Sequence, residues 1–322
     1  MAVYTKLNKE NIEEILSNYS IGHLNEFRGI EEGIENTNYF LLVDYKKYIL
    51  TIYEKRVNEK DLPFFSQLMS NLNKSGFKCP VPIENNNKKT IINYKNKNLM
   101  IVSFLEGKAK SILSPEDCRT VGQEVARMHE ITKNFKIQRS NNLSICSWRK
   151  IFDQVKGKCV QIHKDLPMLI ESNLKDVEKN WPKDLPKGII HADLFSDNIF
   201  FKNNNFSGII DFYFSCNDFY ALEIAICFNA LCFDGPKNNL SFNVTKAINF
   251  MNGYNQIRKI NNDEKKHIKV LSQGSALRFL LTRVFDSLNT VEGAIVKVKD
   301  PMEYLVRLEF HKNSKNSEDY FF

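Results

Sequence analysis

IIHADLFSDNIFF (189–201), followed after the polar turn NNNFSG by Ile209, Ile210, Asp211 and Phe212, concentrates the chemistry of this 322-residue chain. The apolar runs on either side of the turn, Ile199-Phe200-Phe201 and Ile209-Ile210, read as two short strands, because β-branched and aromatic residues suit a pleated, half-buried surface. A hairpin between them would hold Asn198 and Asp211 beside each other at one end of the pair. His191, Asp193 and Asn198 follow the spacing H-x-D-x-x-x-x-N, and Asp211 comes thirteen residues after Asn198. Phosphoryl transfer needs a carboxylate that orients an acceptor hydroxyl and takes its proton, and hard oxygen ligands that hold Mg2+ against a triphosphate. Asp193 suits the first task; Asn198 and Asp211 suit the second. Taken singly, Asp193 and Asp197 could equally cap turns, and Asp211 could simply end a strand. The joint pattern, set between apolar strands, reads as a centre of ATP- and Mg2+-dependent phosphoryl transfer.

Working outward, the N-terminal third alternates between helix and strand signals. NKENIEEILSN (8–18) places Ile12, Ile15 and Leu16 at helical spacing, and LNEFRGI (24–30), NYFLLVDY (38–45) and KYILTIYEK (47–55) read as strands with a tight turn at Asp44. GIEEGIENTN (29–38) is a loop able to offer backbone N–H groups to a phosphate, although an ordinary hairpin explains it as well. A helix over 58–74 stops at SGFKCPVPI, where Pro80 and Pro82 forbid its continuation. INYKNKNLMIVSFLEG (92–107) reads as two further strands running into a turn at Gly107.

Beyond that turn the chain is mainly helical. Ser114-Pro115-Glu116-Asp117 opens a helix to about Thr132, with a hydroxyl cap, proline in the first turn and early acids. His129, at the end of its apolar stripe, reads as a core histidine. Helices follow over 147–164, 168–180, 217–233, 242–258, 263–287 and 300–311, and the tail HKNSKNSEDYFF is expected to fray. The fold class is therefore α+β. The length favours two domains over one core, divided as 1–103 and 104–322.

A formal net charge of +7 could suggest a nucleic-acid partner, but the lysines are dispersed among asparagines, as in ENNNKK and NYKNKN, so no nucleic-acid partner is expected. The seven cysteines are odd in number and form no C-x-x-C pair, as expected of reduced thiols. The most apolar stretch, YALEIAICFNALCF (220–233), is interrupted by Glu223 and Asn229, so no membrane span and a cytoplasmic location are expected. Nothing in the sequence indicates an oligomeric state.

With its H-x-D in place of H-R-D, its G-x-x-x-G loop, FLEG (104–107) and ARMHEIT (126–132), the chain resembles the superfamily of aminoglycoside phosphotransferases and choline kinases, relatives of the protein kinases. The resemblance implies a two-lobed protein-kinase-like fold, with a small antiparallel-sheet N-lobe, a mainly helical C-lobe and ATP in the interlobe cleft. VYTKL (3–7), IENTNYFLL (34–42), YILTIYEKR (48–56) and QGSALRFLLTRVFD (273–286), with the central segment, look more closely like the bacterial homoserine kinases of this type. Those enzymes phosphorylate the hydroxyl of L-homoserine on the way to threonine. The likeness implies Asp193 as catalytic base, Asn198 and Asp211 as Mg2+ ligands and His191 as structural support. Gly33 and Asn38 would belong to the phosphate loop, and Met100 and Ser103 to the hinge against the adenine. Thr51 occupies the place where kinases carry a phosphate-binding lysine, a charge it cannot supply; Lys55 or Arg56 would then substitute.

Homoserine is a zwitterion, so its pocket should offer an acid to the ammonium and an arginine or backbone donors to the carboxylate. Asp218 and Glu223 are the acidic candidates, Arg278 and Arg283 the basic ones. Arg278 and Arg283 are five apart and point about 140° away from each other on one helix, and Arg283 could instead pair with Asp286. Glu223, in an apolar helix, reads as well as a support of the catalytic loop. Choline would call for an aromatic cage, for which Tyr213, Phe214, Phe219 and Tyr220 are available. The remaining alternatives are a kinase of methylthioribose or an aminoglycoside, and a catalytically silent binding module, which Thr51 motivates.

Overall fold

In the computed structural model, which describes residues 5–30, 36–54, 57–236, 239–289, 299–314 and 320, the chain forms two compact units. The first takes the chain up to Gly107 together with Ser207–Tyr213; the second takes Lys108–Phe206 and the described residues from Phe214 onward. Where a division after residue 103 was expected, the first unit runs on to Gly107 and regains a segment from much later in the chain.

The first unit is built on a five-stranded antiparallel sheet in the order β1-β2-β3-β5-β4, formed by β1 (Leu24–Ile30), β2 (Thr37–Val43), β3 (Lys46–Ile52), β4 (Ile91–Tyr94) and β5 (Lys97–Ser103). Two-residue turns join β2 to β3 and β4 to β5. Their central residues, Asp44 and Tyr45 (φ 42° and 62°) and Lys95 and Asn96 (φ 48° and 63°), have the left-handed backbone that matches strand twist in such hairpins. Helix α1 (Lys9–Leu16), closed by a capping box at Asn8, lays Ile12, Ile15 and Leu16 against Leu41, Val43, Leu50, Ile52 and Ile101. Helix α2 (Leu62–Lys74), with proline in its first turn, buries Phe64, Phe65, Leu68 and Leu72. The returning segment is fixed by the Ile209 N–H, which donates to the Lys78 carbonyl at 3.1 Å. Gly208 makes this approach possible: with φ 150°, a Cβ there would lie 2.5 Å from the same carbonyl.

The second unit begins with β6 (Lys108–Ala109) and α3 (Pro115–Thr132), where Ser114 is the expected hydroxyl cap and Asp117 returns the bond to its backbone. Helices α4 (Ile145–Val155) and α5 (Leu166–Asn180) follow, then β7 (Lys187–Ile190), β8 (Ile199–Lys202), β9 (Asn205–Ile209) and β10 (Cys216–Phe219). β8 pairs antiparallel with β6, and β7 with β10. Asn203 and Asn204, with φ 50° and 62°, form the turn after β8, and the Phe201 and Phe206 rings meet at 6.3 Å before the chain passes to the first unit. Then come α6 (Tyr220–Leu231), β11 (Phe233–Asp234), β12 (Ser241–Phe242), α7 (Val244–Ile257), α8 (Asn262–Leu288) and α9 (Met302–Asn313). α6 is apolar on nearly every side and is accordingly buried on nearly every side. Among the described residues no helix is long and apolar enough to cross a membrane.

Three expectations are corrected. The helix expected from 217 starts at Tyr220, because residues 216–219 pair with β7 as strand. The helix expected over 147–164 ends at Val155, and a short 3-10 turn, Cys159–Gln161, follows. Of the tail expected to fray, His311 and Tyr320 are both fully buried, and the Tyr320 hydroxyl bonds His311 Nδ1 at 2.7 Å.

Candidate active site

β7 delivers the chain to His191, Ala192 and Asp193, and each of these residues has its backbone held. Glu223, fully buried on α6, accepts the His191 N–H and, at 3.0 Å, the Ala192 N–H, both through Oε2. Arg278, 3% exposed on α8, donates from Nη1 to the Ala192 carbonyl at 2.6 Å. The Asp193 N–H donates to His191 Nδ1 at 3.3 Å, which leaves the His191 ring proton on Nε2. The Asp193 carbonyl accepts from Asn198 Nδ2 at 2.8 Å and from the Phe195 N–H at 3.0 Å. Ala192 is thereby kept at φ 66°, a left-handed conformation that costs a residue with a Cβ about 1 kcal/mol and persists where its surroundings over-determine it.

Burial raises the Glu223 carboxyl to about 7; the two backbone N–H groups and the Arg278 guanidinium oppose that rise, and the Asp193 charge adds to it. Glu223 Oε1 and Arg278 Nε have no hydrogen-bond partner of their own among the described residues. Asn198 is nearly buried, and with its Nδ2 committed to the Asp193 carbonyl its remaining polar atom is Oδ1, a hard oxygen. Around the loop, the Phe195 ring meets Phe279 at 4.9 Å and Tyr304 at 6.4 Å. The Arg283 and Arg307 guanidinium groups lie 4.5 and 4.8 Å from the centre of the Tyr304 ring.

Asp211 belongs to the first unit, as do Asn38, Thr51, Met100 and Ser103. Like Ala192, Asp211 is left-handed, with φ 65°. Thr51, 2% exposed, donates from Oγ1 to Asn38 Oδ1 at 2.8 Å, its neighbour across the β2–β3 pairing. Ser103 closes β5 and accepts the Val81 N–H at 2.9 Å. Met100 is fully buried, with the Tyr53 hydroxyl 3.9 Å from its sulfur, so it is a core residue and not an open adenine contact. Gly33, Lys55 and Arg56 lie outside the described residues.

The acceptor candidates are also redistributed. Arg278 is buried against the loop backbone and lines no open wall. Arg283, a candidate either for the acceptor carboxylate or for a pair with Asp286, reaches the Glu303 carboxylate at 3.0 Å and the Asp300 carbonyl at 2.8 Å. Asp218 accepts from Asn141 Nδ2 at 2.7 Å and from the Phe219 N–H at 2.8 Å. The sequence reading passed over Arg139, whose guanidinium donates to the Ser215 carbonyl at 2.9 Å, and Tyr304, whose buried hydroxyl has no partner among the described residues. For Tyr304 the available signal was a tyrosine set among apolar residues, since its hydroxyl needs a polar partner when buried; Arg139, in the polar run QRSNN, offered none.

Comparison with known proteins extends this local picture to the whole chain. A family model described as "Phosphotransferase enzyme family" matches residues 26–241. The chain is 44% identical over 318 residues to the homoserine kinase of Paramagnetospirillum magneticum, covering 97% of each. It is 41% identical over 320 residues to the homoserine kinase of Rhizobium meliloti, covering 99% of this chain and 97% of the relative. Among solved structures, an amicoumacin kinase in complex with AMP-PNP, Ca2+ and Ami superimposes with a TM-score of 0.70 at 11% identity, covering 97% of this chain and 95% of that one. Choline kinase from Cryptosporidium parvum does so with a TM-score of 0.65 at 16% identity, covering 95% and 94%.

Proposed function

This chain belongs to the phosphotransferase enzyme family, among its homoserine kinases, and from that premise we propose that it transfers the γ-phosphoryl group of ATP to the hydroxyl of L-homoserine. The product is O-phospho-L-homoserine, a step of threonine biosynthesis. One observation carries the reading: the 41% and 44% identity extends over nearly the full length of both chains, and so includes the helices beyond the catalytic segment.

Asp193 orients the homoserine hydroxyl and takes its proton as the oxygen attacks phosphorus, and the hydrogen bonds on both sides of its peptide keep that carboxylate from drifting. His191, Glu223 and Arg278 serve this positioning and do not themselves meet the substrate. Asn198 Oδ1 and the Asp211 carboxylate are the ligands for Mg2+. They are hard oxygens, and two of them leave room for the phosphate oxygens and waters that this ion keeps. When bound, Mg2+ neutralises charge on the triphosphate. Gly33, Asn38, Thr51 and Ser103 take the nucleotide side. Asp218 is the partner for the acceptor ammonium, and Arg283 for its carboxylate.

The test is ADP release in the presence of Mg2+ over a panel of homoserine, serine, choline, methylthioribose and kanamycin. Turnover on homoserine above the others is expected. Turnover on choline or kanamycin alone would replace the acceptor, and none on any of the five would favour a silent binding module.

A further inference from the structure

VYTKL (3–7) has no part in the chemistry described so far, yet Thr5 sits at the centre of a polar cluster in the first unit. The Glu54 carboxylate collects three donors: the Thr5 and Thr37 hydroxyls on Oε1, at 2.6 and 2.7 Å, and the Lys97 ammonium on Oε2. Lys97 Nζ also donates to Thr5 Oγ1 at 2.6 Å, and the Thr5 N–H donates to Thr37 Oγ1 at 3.1 Å. The Thr5 carbonyl accepts the Tyr39 hydroxyl at 2.9 Å, and that hydroxyl accepts the Leu7 N–H at 2.8 Å. Thr5 and Thr37 thus each direct their one hydroxyl proton to Glu54 and accept on the same oxygen. Burial works against ionisation of Glu54, and the Lys97, Thr5 and Thr37 donors outweigh it, so the carboxyl lies below its ordinary value.

The cluster closes one corner of the sheet. Thr37 and Ile52 are the last pair of the β2–β3 ladder, and Glu54 lies two residues beyond it, so on this side the corner is held by side chains and not by ladder bonds. Lys97 opens β5, whose Leu99 pairs with the same Ile52. Successive residues of a strand point to opposite faces. Thr37 is held on the face where Tyr39 and Leu41 pack against Ile12 and Ile15 of α1, and Asn38 is thereby turned to the other face, where it accepts from Thr51 Oγ1 at 2.8 Å.

We infer that Thr5, Glu54 and Lys97 are positioning residues of the nucleotide site, which fix the start of β2 and, through it, the side chain of Asn38. The inference rests on the reading of Asn38 as a nucleotide contact. A partly exposed ion pair alone contributes little. Here the carboxylate that meets Lys97 is also bonded by hydroxyls from two other segments, and removing it frees all three. The freed corner frays locally, and a nucleotide must then restore its order on binding, so affinity falls with the fraction of protein that is ordered there.

The test measures ADP binding to the full-length protein by calorimetry, with Mg2+ and without acceptor, so it does not depend on which alcohol is phosphorylated; steady-state kinetics accompany it. Glu54→Ala and Lys97→Met are each expected to weaken ADP about five- to thirty-fold, the size of one or two lost hydrogen bonds. The KM for ATP should rise alike, while kcat and the KM for the acceptor stay within about two-fold of wild type. The double variant should be little weaker than the worse single one, because both cut one cluster. Lys97→Arg, which keeps the charge and its donors, should bind nearly as wild type does. Thr5→Val, the mildest cut, should weaken ADP about three- to ten-fold and serves if either of the others fails to fold. Wild-type ADP affinity in these variants would overturn the proposal, even with a lowered Tm, and so would a kcat or an acceptor KM that moved as far as the KM for ATP. Asn38→Ala separates the two levels: undiminished ADP binding there would overturn the reading of Asn38 itself.

Discussion

Glu223 and Arg278 grip the two polar groups of a single residue, the carboxylate accepting the Ala192 N–H at 3.0 Å and the guanidinium donating to the Ala192 carbonyl at 2.6 Å. The helices that carry them, α6 and α8, are thus tied to the catalytic loop through opposite charges on opposite sides of one strained residue. Neither charge is compensated by solvent, so each depends on the peptide groups of the loop. Asp193 inherits its place from this clamp.

The clamp has a pH signature. Folding raises the Glu223 carboxyl from 4.5 to about 7, so between those values the folded protein holds a proton that the unfolded chain has released. The contribution to stability is full below pH 4.5 and falls by about 1.4 kcal/mol per pH unit as pH rises toward 7. Glu223→Gln keeps an acceptor oxygen for the loop and cannot titrate. Denaturant midpoints at pH 5 and pH 7.5 should therefore show the variant gaining on wild type at the higher pH. A difference that stays constant would mean that Glu223 does not change its protonation in that range.

Asp193→Asn removes the proton acceptor while leaving in place the hydrogen bonds that the backbone of residue 193 makes with His191 Nδ1 and Asn198 Nδ2. Turnover should fall by about 10²- to 10⁴-fold, the usual scale of a lost general base, with ADP affinity and Tm close to wild type. Steady-state assays with calorimetry of ADP binding check both halves. Near-normal turnover would remove Asp193 from the role of base.

How far the sequence carried depends on whether the deciding interaction was local. Asp44-Tyr45, the Ser114–Asp117 cap and the strands around the catalytic segment are short-range patterns, and each was legible from residue type and spacing. The partners of Glu223 and Arg278 were not. Glu223 reaches a residue 31 positions away and Arg278 one 86 positions away, distances over which spacing says nothing. Arg278 and Arg283 looked alike as residues for an acceptor carboxylate, and only the fold separates a guanidinium buried on a backbone carbonyl from one paired with Glu303. Thr51 was read as a missing charge because its partner Asn38 comes from another strand. Tyr320 is fully buried although the stretch around it reads as polar, because one aromatic side chain can be buried whatever the average composition of its neighbours.

α3 and α7 pack closely against each other, and the approach is made at two glycines. A Cβ on Gly253 would lie 1.9 Å from the Arg119 carbonyl, and one on Gly122 would lie 2.1 Å from the Phe250 carbonyl. Helix propensity alone would make Gly→Ala favourable by up to about 1 kcal/mol. Here the clash is with backbone, which cannot swing aside, so Gly253→Ala should instead destabilise by about 1–3 kcal/mol. Urea denaturation measures it, and a stabilised variant would mean that the helices part without cost.

Tyr320 gives the last prediction, because its hydroxyl is the first link of a buried relay. Tyr320 bonds His311 Nδ1 at 2.7 Å, His311 Nε2 meets Asn229 Oδ1 at 2.9 Å, and Asn229 Nδ2 donates to the Ser272 carbonyl at 2.9 Å. An amide oxygen only accepts, so His311 carries its proton on Nε2 and takes the Tyr320 hydroxyl proton on Nδ1. Burial and the nearby Arg307 and Lys269 charges push the His311 ring down to about 3, so it is neutral when folded and charges in the unfolded chain below about 6.5. Its contribution to stability is therefore complete above pH 6.5 and is lost at about 1.4 kcal/mol per unit as pH falls. Tyr320→Phe leaves Nδ1 buried without its donor and should cost about 1–3 kcal/mol at pH 7.5 with kcat unchanged. Because Nδ1 would then be the site that takes up the proton, the variant's deficit should shrink between pH 7.5 and pH 5.5. A deficit that is the same at both values would sink the relay.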